Sequence, residues 1–312
     1  MDDLVLGVDV GGTRVRAALV DRSGQILARV ARPTRGKGNA KAFLDTLSNA
    51  IQEVMAGSSG VRGIALACAG IIDMGRGVVT TSPNIPALQD FPLRQKVEER
   101  FRLPTCLLND ASAAALGEHL FGAGKGADHL VYLTLSTGIG GGIILDSRLY
   151  LGAQGAAGEI GHMVIEAEGP RCACGNRGCL EALASGTAIA REARERLKAG
   201  EGSSLSSQNK ERLTARMVHQ AARQGDPLAR EVIAQAGQYL GIGLANIVNI
   251  FNPQKIVLGG GVARLGGLLL EPAEREMKAR ACPLPARGVE VVLSPLGDRA
   301  GLLGVAAWFW QQ

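Results

Sequence analysis

Three cysteines, Cys172, Cys174 and Cys179, fall within eight residues of one another, and His162 precedes them in the string Gly158-Glu159-Ile160-Gly161-His162. Three thiolates and one imidazole complete the tetrahedral shell that zinc prefers and leave no open position for a reactive water. The set therefore predicts a structural zinc site. The competing explanation is a chance cluster of reduced cysteines in a glycine-rich loop, and the local density weighs against it. Cys68, Cys106 and Cys282 lie in or near apolar segments and read as small core residues. His119, His129 and His219 have no such company and are expected to be surface or satisfied histidines.

Two glycine-rich strings could hold phosphate. In Asp9-Val10-Gly11-Gly12-Thr13, glycine lets backbone approach an anion closely, and successive N–H groups in such a turn form an anion-binding concavity. Asp9, ending a strand, could face magnesium or its water shell; a plain hairpin turn explains the string about equally well. The second string is Ser136-Thr137-Gly138-Ile139-Gly140-Gly141-Gly142. So many glycines cost conformational entropy on folding, so a ligand or a tightly packed turn must require them. The pair together favours phosphate. A third apolar run, Ile256-Val257-Leu258, ends in Gly259-Gly260-Gly261 and suits an adenosine or ribose lying against backbone. None is a Walker A loop, since no Gly-Lys-Ser/Thr follows. Asn109-Asp110 comes directly after a short apolar strand, where Asp is commonly a helix cap. Beside phosphate loops, Asp110 is also a candidate to accept the proton of an attacking hydroxyl in phosphoryl transfer.

These residues need a frame. Residues 4–10 read as a buried strand, Gly11-Gly12 as a turn and 15–20 as a second strand; 130–136, the glycine stretch 138–142 and 143–145 repeat that plan. Strands are also expected at 61–69, 105–108, 255–258 and 289–293, and helices at 40–56, 92–101, from Asp110, and at 180–199, 211–224, 228–248, 267–280 and 299–311. This alternation predicts an α/β fold with helices packed on sheet, built as two related halves. The polar, Ser-rich stretch 200–209 reads as a surface loop.

Composition fits that frame. The chain has 312 residues, enough for two lobes, and 20% charged residues, as in ordinary globular proteins. Its 43 glycines, against an average share of roughly 7%, cluster at strand ends. The net charge is +5, but the basic residues are scattered, so no nucleic-acid partner is expected. No apolar run approaches the roughly 20 residues that span a bilayer, so no membrane partner is expected either. The cysteine usage is not that of a secreted disulfide framework, and a cytoplasmic location is the consistent expectation.

Taken together, these strings resemble the ROK family (repressors, open reading frames and kinases), particularly its bacterial glucokinase branch, over nearly the whole chain. Glu-x-Gly-His and Cys-x-Cys-Gly-x-x-Gly-Cys-x-Glu, here Glu159–His162 and Cys172–Glu181, are its most specific signatures. The resemblance implies an actin-like ATPase fold, a duplicated RNase H-like pair of lobes closing over ATP and a sugar. Residues 1–115 plus 299–312 would form the small lobe and 116–298 the large one. It implies Mg-ATP as donor, bound by Asp9, Gly11, Gly12, Thr13, Arg14, Thr137, Gly138, Gly140, Gly259, Gly260 and Gly261. Asp110 would be the general base. Asn84, Asn109, Asp110, Glu159, His162 and Glu181 would bind a hexose, with His162 using its second ring nitrogen for zinc. A homodimer or homotetramer is also implied.

The chain departs from the family pattern at three places. Arg14 stands where Lys is usual, Ala67-Cys68-Ala69-Gly70 where Gly-x-Pro-Gly is usual, and Ala87-Leu88 where Gly-Trp usually follows Asn84 in a loop expected to line the sugar pocket. The activity expected is phosphorylation of glucose by ATP. The alternatives are the same chemistry on N-acetylmannosamine, N-acetylglucosamine, fructose or mannose, polyphosphate as a further donor, and a sugar-sensing repressor. Family repressors carry an N-terminal helix-turn-helix, for which a first strand at Leu4 is expected to leave no room.

Overall fold

Leu4–Val10 (β1) is buried along nearly its whole length because both faces of the strand are covered. In the computed structural model, which describes residues 3–36 and 38–312, β1 sits in the middle of a five-stranded sheet. Its neighbours are Arg14–Asp21 (β2), Ile26–Pro33 (β3), Val61–Cys68 (β4) and Thr105–Asn109 (β7), in the order β3-β2-β1-β4-β7. β1, β2 and β3 run antiparallel in sequence, whereas β4 and β7 run parallel to β1. One face, with Leu6, Val8 and Leu66, is covered by Phe43, Leu47 and Ile51 of Ala40–Met55 (α1). The other, with Val5, Ala65 and Ala67, is covered by Leu302, Leu303 and Ala306 of Ala300–Trp310 (α10). Ile71–Asp73 (β5) and Val78–Thr81 (β6) form a two-stranded ribbon, and Leu93–Phe101 (α2) precedes β7.

A second five-stranded sheet contains Leu130–Leu135 (β8), Ile139–Leu145 (β9), Arg148–Leu149 (β10), Lys255–Gly259 (β11) and Glu290–Leu293 (β12), in the order β10-β9-β8-β11-β12. β11 is parallel to both β8 and β12. This order reproduces that of the first sheet strand for strand, so the duplication expected from the two strand–glycine–strand strings extends to sheet topology. The helices between are Asp110–Phe121 (α3), Leu180–Ala184 (α4), Gly186–Lys198 (α5), Ala215–Arg223 (α6), Pro227–Phe251 (α7), Gly267–Arg280 (α8) and Pro283–Gly288 (α9). Among the described residues no helix is long and apolar enough to cross a membrane.

The chain forms two compact units. The first comprises residues up to Asp128, Gly142–Gly158 and Ser294–Gln312; the second comprises His129–Gly141 and Glu159–Leu293. Residues 116–128, 142–158 and 294–298 thus group with the first unit, whereas the resemblance implies the large lobe for them. The reason is α3. Its whole length packs on α10, and a Cβ at Gly142 would lie 2.6 Å from the Ala115 Cβ, so β9 crosses α3 at glycine.

Several elements differ from the sequence expectation. β3, β5, β6, β10 and α9 carry little apolar periodicity and were not expected; β3 is an edge strand with five exposed residues out of eight. The glycine stretch 138–142 is not a turn. The turn is 136–138, closed by Ser136 N–H donating to the Gly138 carbonyl at 2.9 Å, and Gly140 to Gly142 lie within β9. Helix 180–199 is two helices, broken where the Ser185 hydroxyl caps α5 by accepting from Ala188 N–H. Residues 210–212 form a separate turn of 3₁₀ helix, so α6 begins at Ala215 behind its Thr214 cap. The Ser-rich loop is pinned: Asp226, which caps α7, also accepts from Ser203, from the Ser204 hydroxyl and from the Ser204 N–H.

Candidate active site and metal centre

In the first unit the candidate residues gather at the carboxyl ends of the parallel strands, where open α/β sheets bind ligands. Register places Asp9 beside Ala67, and Cys68 beside both Val10 and Asn109. The turn after β1 is closed by Gly11 N–H donating to Arg14 O at 3.1 Å. Thr34 holds it from outside, its hydroxyl donating to Gly11 O and its N–H to Thr13 O. With these carbonyls turned to Thr34, Thr13 and Arg14 are exposed at the rim.

Asp9 does not stand alone. Its Oδ2 lies 2.9 Å from Arg16 Nη1, and Arg16 Nη2 reaches Asp298 at 3.3 Å. Burial pushes the Asp9 carboxyl up, and the Arg16 guanidinium opposes that shift. Sequence reading missed Arg16, although hairpin register signals it: closing a strand pair around Gly11–Thr13 sets residue 16 opposite residue 9. Asp9 also faces the start of α10, where a Cβ at Gly301 would lie 4.0 Å from its Cγ.

Asn109 is a helix cap. Its Oδ1 accepts from Ala111 N–H and Ser112 N–H, at 3.0 and 3.1 Å, and its amide donates to Gly70 O at 3.2 Å. Asp110 is therefore the first residue of α3, and its Oδ1 accepts from Ala111 N–H at 2.9 Å. A carboxylate at a helix N-terminus is held by the dipole and the end N–H groups. The helix behind it is gripped by glycine contacts on the opposite side from Gly142: a Cβ at Gly304 would lie 1.7 Å from Ala113 O, and one at Gly117 would lie 2.1 Å from Ala300 O. Glu118, fully buried on α3, accepts from Ser294 Oγ, Leu296 N–H and Ala123 N–H, fastening the segment before α10 to the same helix.

Asn84 is exposed on a loop whose two turns are closed by Ile85 N–H to Ser82 O and Leu88 N–H to Ile85 O. Leu88, in the loop expected to line a sugar pocket, is fully buried beside Ile85 in the core, so its own side chain lines no surface. Asn84 itself packs over Gly12: a Cβ at Gly12 would lie 2.4 Å from the Asn84 Cβ.

In the second unit, turn 136–138 is strapped to the start of α5. Gly186 N–H donates to Ser136 O at 2.8 Å, and the Thr187 hydroxyl donates to Thr137 O at 2.8 Å. Thr187 is a further residue the sequence did not single out. Gly138 lies under Glu181, whose Oε2 would be 2.2 Å from a Cβ there and accepts from Ile139 N–H at 2.9 Å. The third glycine run is less uniform than its sequence suggests. Gly259 is covered by the Tyr132 hydroxyl, Gly260 adopts φ +86° over Leu135, and Gly261 is exposed with open space about its Cα.

The four residues His162, Cys172, Cys174 and Cys179 converge, their ligand atoms all within 4.8 Å of one another. Cys174 Sγ lies 3.7 Å from Cys179 Sγ, and Cys172 Sγ lies 3.7 Å from His162 Nδ1. Zinc bonds of about 2.0–2.3 Å give tetrahedral edges of roughly 3.3–3.8 Å, so the set fits zinc. Burial and the adjacent thiols push Cys179 up to about 12, and a cation is what would let three thiolates share this space. The loop is a small hairpin. Cys172 N–H donates to Asn176 O, Gly178 N–H donates to Pro170 O, and Gly178 has φ +65° with Glu166 O where a Cβ would go. With Nδ1 toward Cys172, the His162 Nε2 faces Glu159 at 3.8 Å. Burial raises the Glu159 carboxyl, opposed by His162. Glu159, His162 and Glu181 thus surround one end of the candidate metal centre, and Glu181 Oε1 is 3.9 Å from Cys172 Sγ.

The ROK family pattern matches residues 5–312. The chain belongs to the ROK family. A glucokinase of Halalkalibacterium halodurans is 39% identical over 318 residues, covering 100% of this chain and 96% of that relative. A ROK family glucokinase from Streptomyces griseus, solved in complex with glucose and AMPPNP, superposes with a TM-score of 0.86 at 36% identity, over 99% of this chain and 100% of that one. A xylose repressor of Caldicellulosiruptor bescii is 33% identical over 97% of this chain and 77% of the repressor. The fold is accordingly the actin-like ATPase fold of ROK sugar kinases, and the repeated sheet order is its duplication.

Proposed function

We propose that this ROK protein is an ATP-dependent sugar kinase that converts D-glucose to glucose 6-phosphate. The observation that carries the reading is full-length similarity to a glucokinase solved with glucose and AMPPNP. Asp110, oriented at the start of α3, takes the proton of the sugar 6-hydroxyl as its oxygen attacks the terminal phosphorus; the bond to the bridging oxygen breaks and ADP leaves. Asn84 and Asn109 in the first unit, and Glu159, His162 and Glu181 in the second, are assigned to the remaining hydroxyls. The 11–14 turn with Asp9, the 136–140 turn with Thr137, Gly138 and Gly140, and the 259–261 run are assigned to ATP. In the last run, Gly261 is the position open to a ligand, while Gly259 serves Tyr132 packing.

Magnesium suits Asp9, because it is typically bound through one or two protein carboxylates together with substrate phosphates. When bound it offsets the charge on those phosphates. Zinc held by His162, Cys172, Cys174 and Cys179 has no open position, so its part is to orient His162 and Glu181. Self-association as a homodimer or homotetramer belongs to the same reading, and light scattering on a sizing column checks it.

The test is ADP release measured over a panel of hexoses and N-acetylhexosamines with magnesium and ATP. Glucose should give the highest kcat/KM. Asp110→Asn should lower kcat by at least about 10²-fold with sugar affinity retained, the scale of a lost general base. A folded Asp110→Asn protein with normal turnover would refute the assignment. Sugar binding without ADP release by the wild type would favour the repressor side of the family.

A further inference from the structure

Glu181 is assigned above to the sugar, yet its closest polar contact is elsewhere. Its Oε2 accepts the Ile139 N–H at 2.9 Å, the first amide beyond turn 136–138. The same oxygen fills the space above Gly138, where a Cβ would come within 2.2 Å of it. From the α5 side the turn is held by Gly186 N–H on Ser136 O and by Thr187 on Thr137 O. Those bonds take carbonyls. Glu181 takes an N–H, on the chain's exit from the turn, just before three successive glycines that resist no bending of their own.

We propose that Glu181 is a positioning residue for the nucleotide as well as a sugar ligand: by clamping Ile139 N–H it fixes the 136–138 turn in the shape that receives phosphate. The inference rests on the reading of that turn as part of the ATP site. A carboxylate that served only sugar would leave nucleotide binding untouched when removed.

The experiment is calorimetric titration of magnesium and AMPPNP into sugar-free wild type, Glu181→Ala, Glu181→Asp and Glu181→Gln, with metal content measured for each. Glu181→Ala should weaken AMPPNP roughly tenfold to hundredfold, the range for losing a hydrogen bond to a charged group. Glu181→Asp, one methylene shorter, should also weaken it, while Glu181→Gln keeps an acceptor oxygen and should stay within about threefold of wild type. Amide exchange at Ile139 should speed up in Glu181→Ala and remain slow in Glu181→Gln. AMPPNP affinity in both Glu181→Ala and Glu181→Asp within twofold of wild type would overturn the proposal, as would unchanged Ile139 exchange. Failure of the wild type to bind AMPPNP would instead indict the kinase reading.

Discussion

Gly12 lies in a turn assigned to phosphate, and a side chain there would be expected to disturb ATP alone. The structure says otherwise. A Cβ at Gly12 would sit 2.4 Å from the Asn84 Cβ and 3.1 Å from its Cγ. Carbon atoms settle at about 3.5–4.0 Å, so Asn84 must retreat by roughly 1 Å or more. The obstructing atom is a Cβ, so no rotamer change relieves the clash; the loop backbone must move. That loop is anchored by fully buried Ile85 and Leu88. Gly12→Ala should therefore cost about 1–3 kcal/mol, the usual overpacking range, lowering Tm by about 2–4 °C per kcal/mol for a unit of this size. A displacement of about 1 Å at a binding group can cost up to 10²-fold in rate, so kcat/KM for sugar should fall together with that for ATP. The decisive assay is a double-mutant cycle followed by thermal unfolding. Gly12→Ala combined with Asn84→Gly removes the clashing Cβ and should recover most of the lost Tm. Gly12→Ala with Asn84→Ala keeps that atom and should not. Equal Tm for the two double mutants, once the single Asn84 changes are subtracted, would refute the packing argument.

Other consequences are quicker to state. Cys174→Ser should lose stoichiometric zinc by atomic emission, lower Tm and raise the KM for sugar more than that for ATP; wild-type protein without zinc would sink the metal assignment. Glu118→Ala strips a buried acceptor from Ser294, Leu296 and Ala123 and should destabilise by about 3–5 kcal/mol in denaturant unfolding, with Glu118→Gln intermediate. Burial acts to raise the Asp226 carboxyl, but the Ala229 and Ser204 N–H groups with the Ser203 and Ser204 hydroxyls outweigh it and hold it below its ordinary 3.8. Its stabilising contribution is thus full above that value and is lost as pH falls through the lower folded value, and Asp226→Asn should flatten unfolding stability against pH only below about pH 4.

What the sequence disclosed followed from how local the physics is. The metal set was legible because three thiols and an imidazole at short spacing have few other uses, and the structure gathers all four. β1 and β8 were legible because strands covered on both faces are continuously apolar. β3 was not, since its exposure alternates but apolar Leu27 and Ala31 stand at exposed positions and blur the pattern in the sequence. The break at Ser185 is decided by one side chain capping α5 in mid-run, which helical periodicity does not register. Asn109 beside Asp110 suggested a ligand pair; that the Asn109 side chain also caps α3 and holds Gly70 O was not legible, because it depends on where β4 ends.

Gly12 and Gly138 show why glycine was the hardest residue to interpret. Both follow the central strand of their sheet, and both were taken for positions where backbone must meet phosphate. In each unit the space the missing side chain leaves is filled by a residue assigned to sugar, Asn84 over Gly12 and Glu181 over Gly138. Phosphate access alone would need glycine on the ligand side of the turn; a packing partner needs it on the other. Since the two sheets share one strand order, the recurrence is best explained as part of the duplicated plan, in which the turn assigned to phosphate is also the floor of a residue assigned to sugar. On that assignment a glycine there constrains two substrates at once, and substitution at either position should therefore never separate the ATP and sugar constants cleanly.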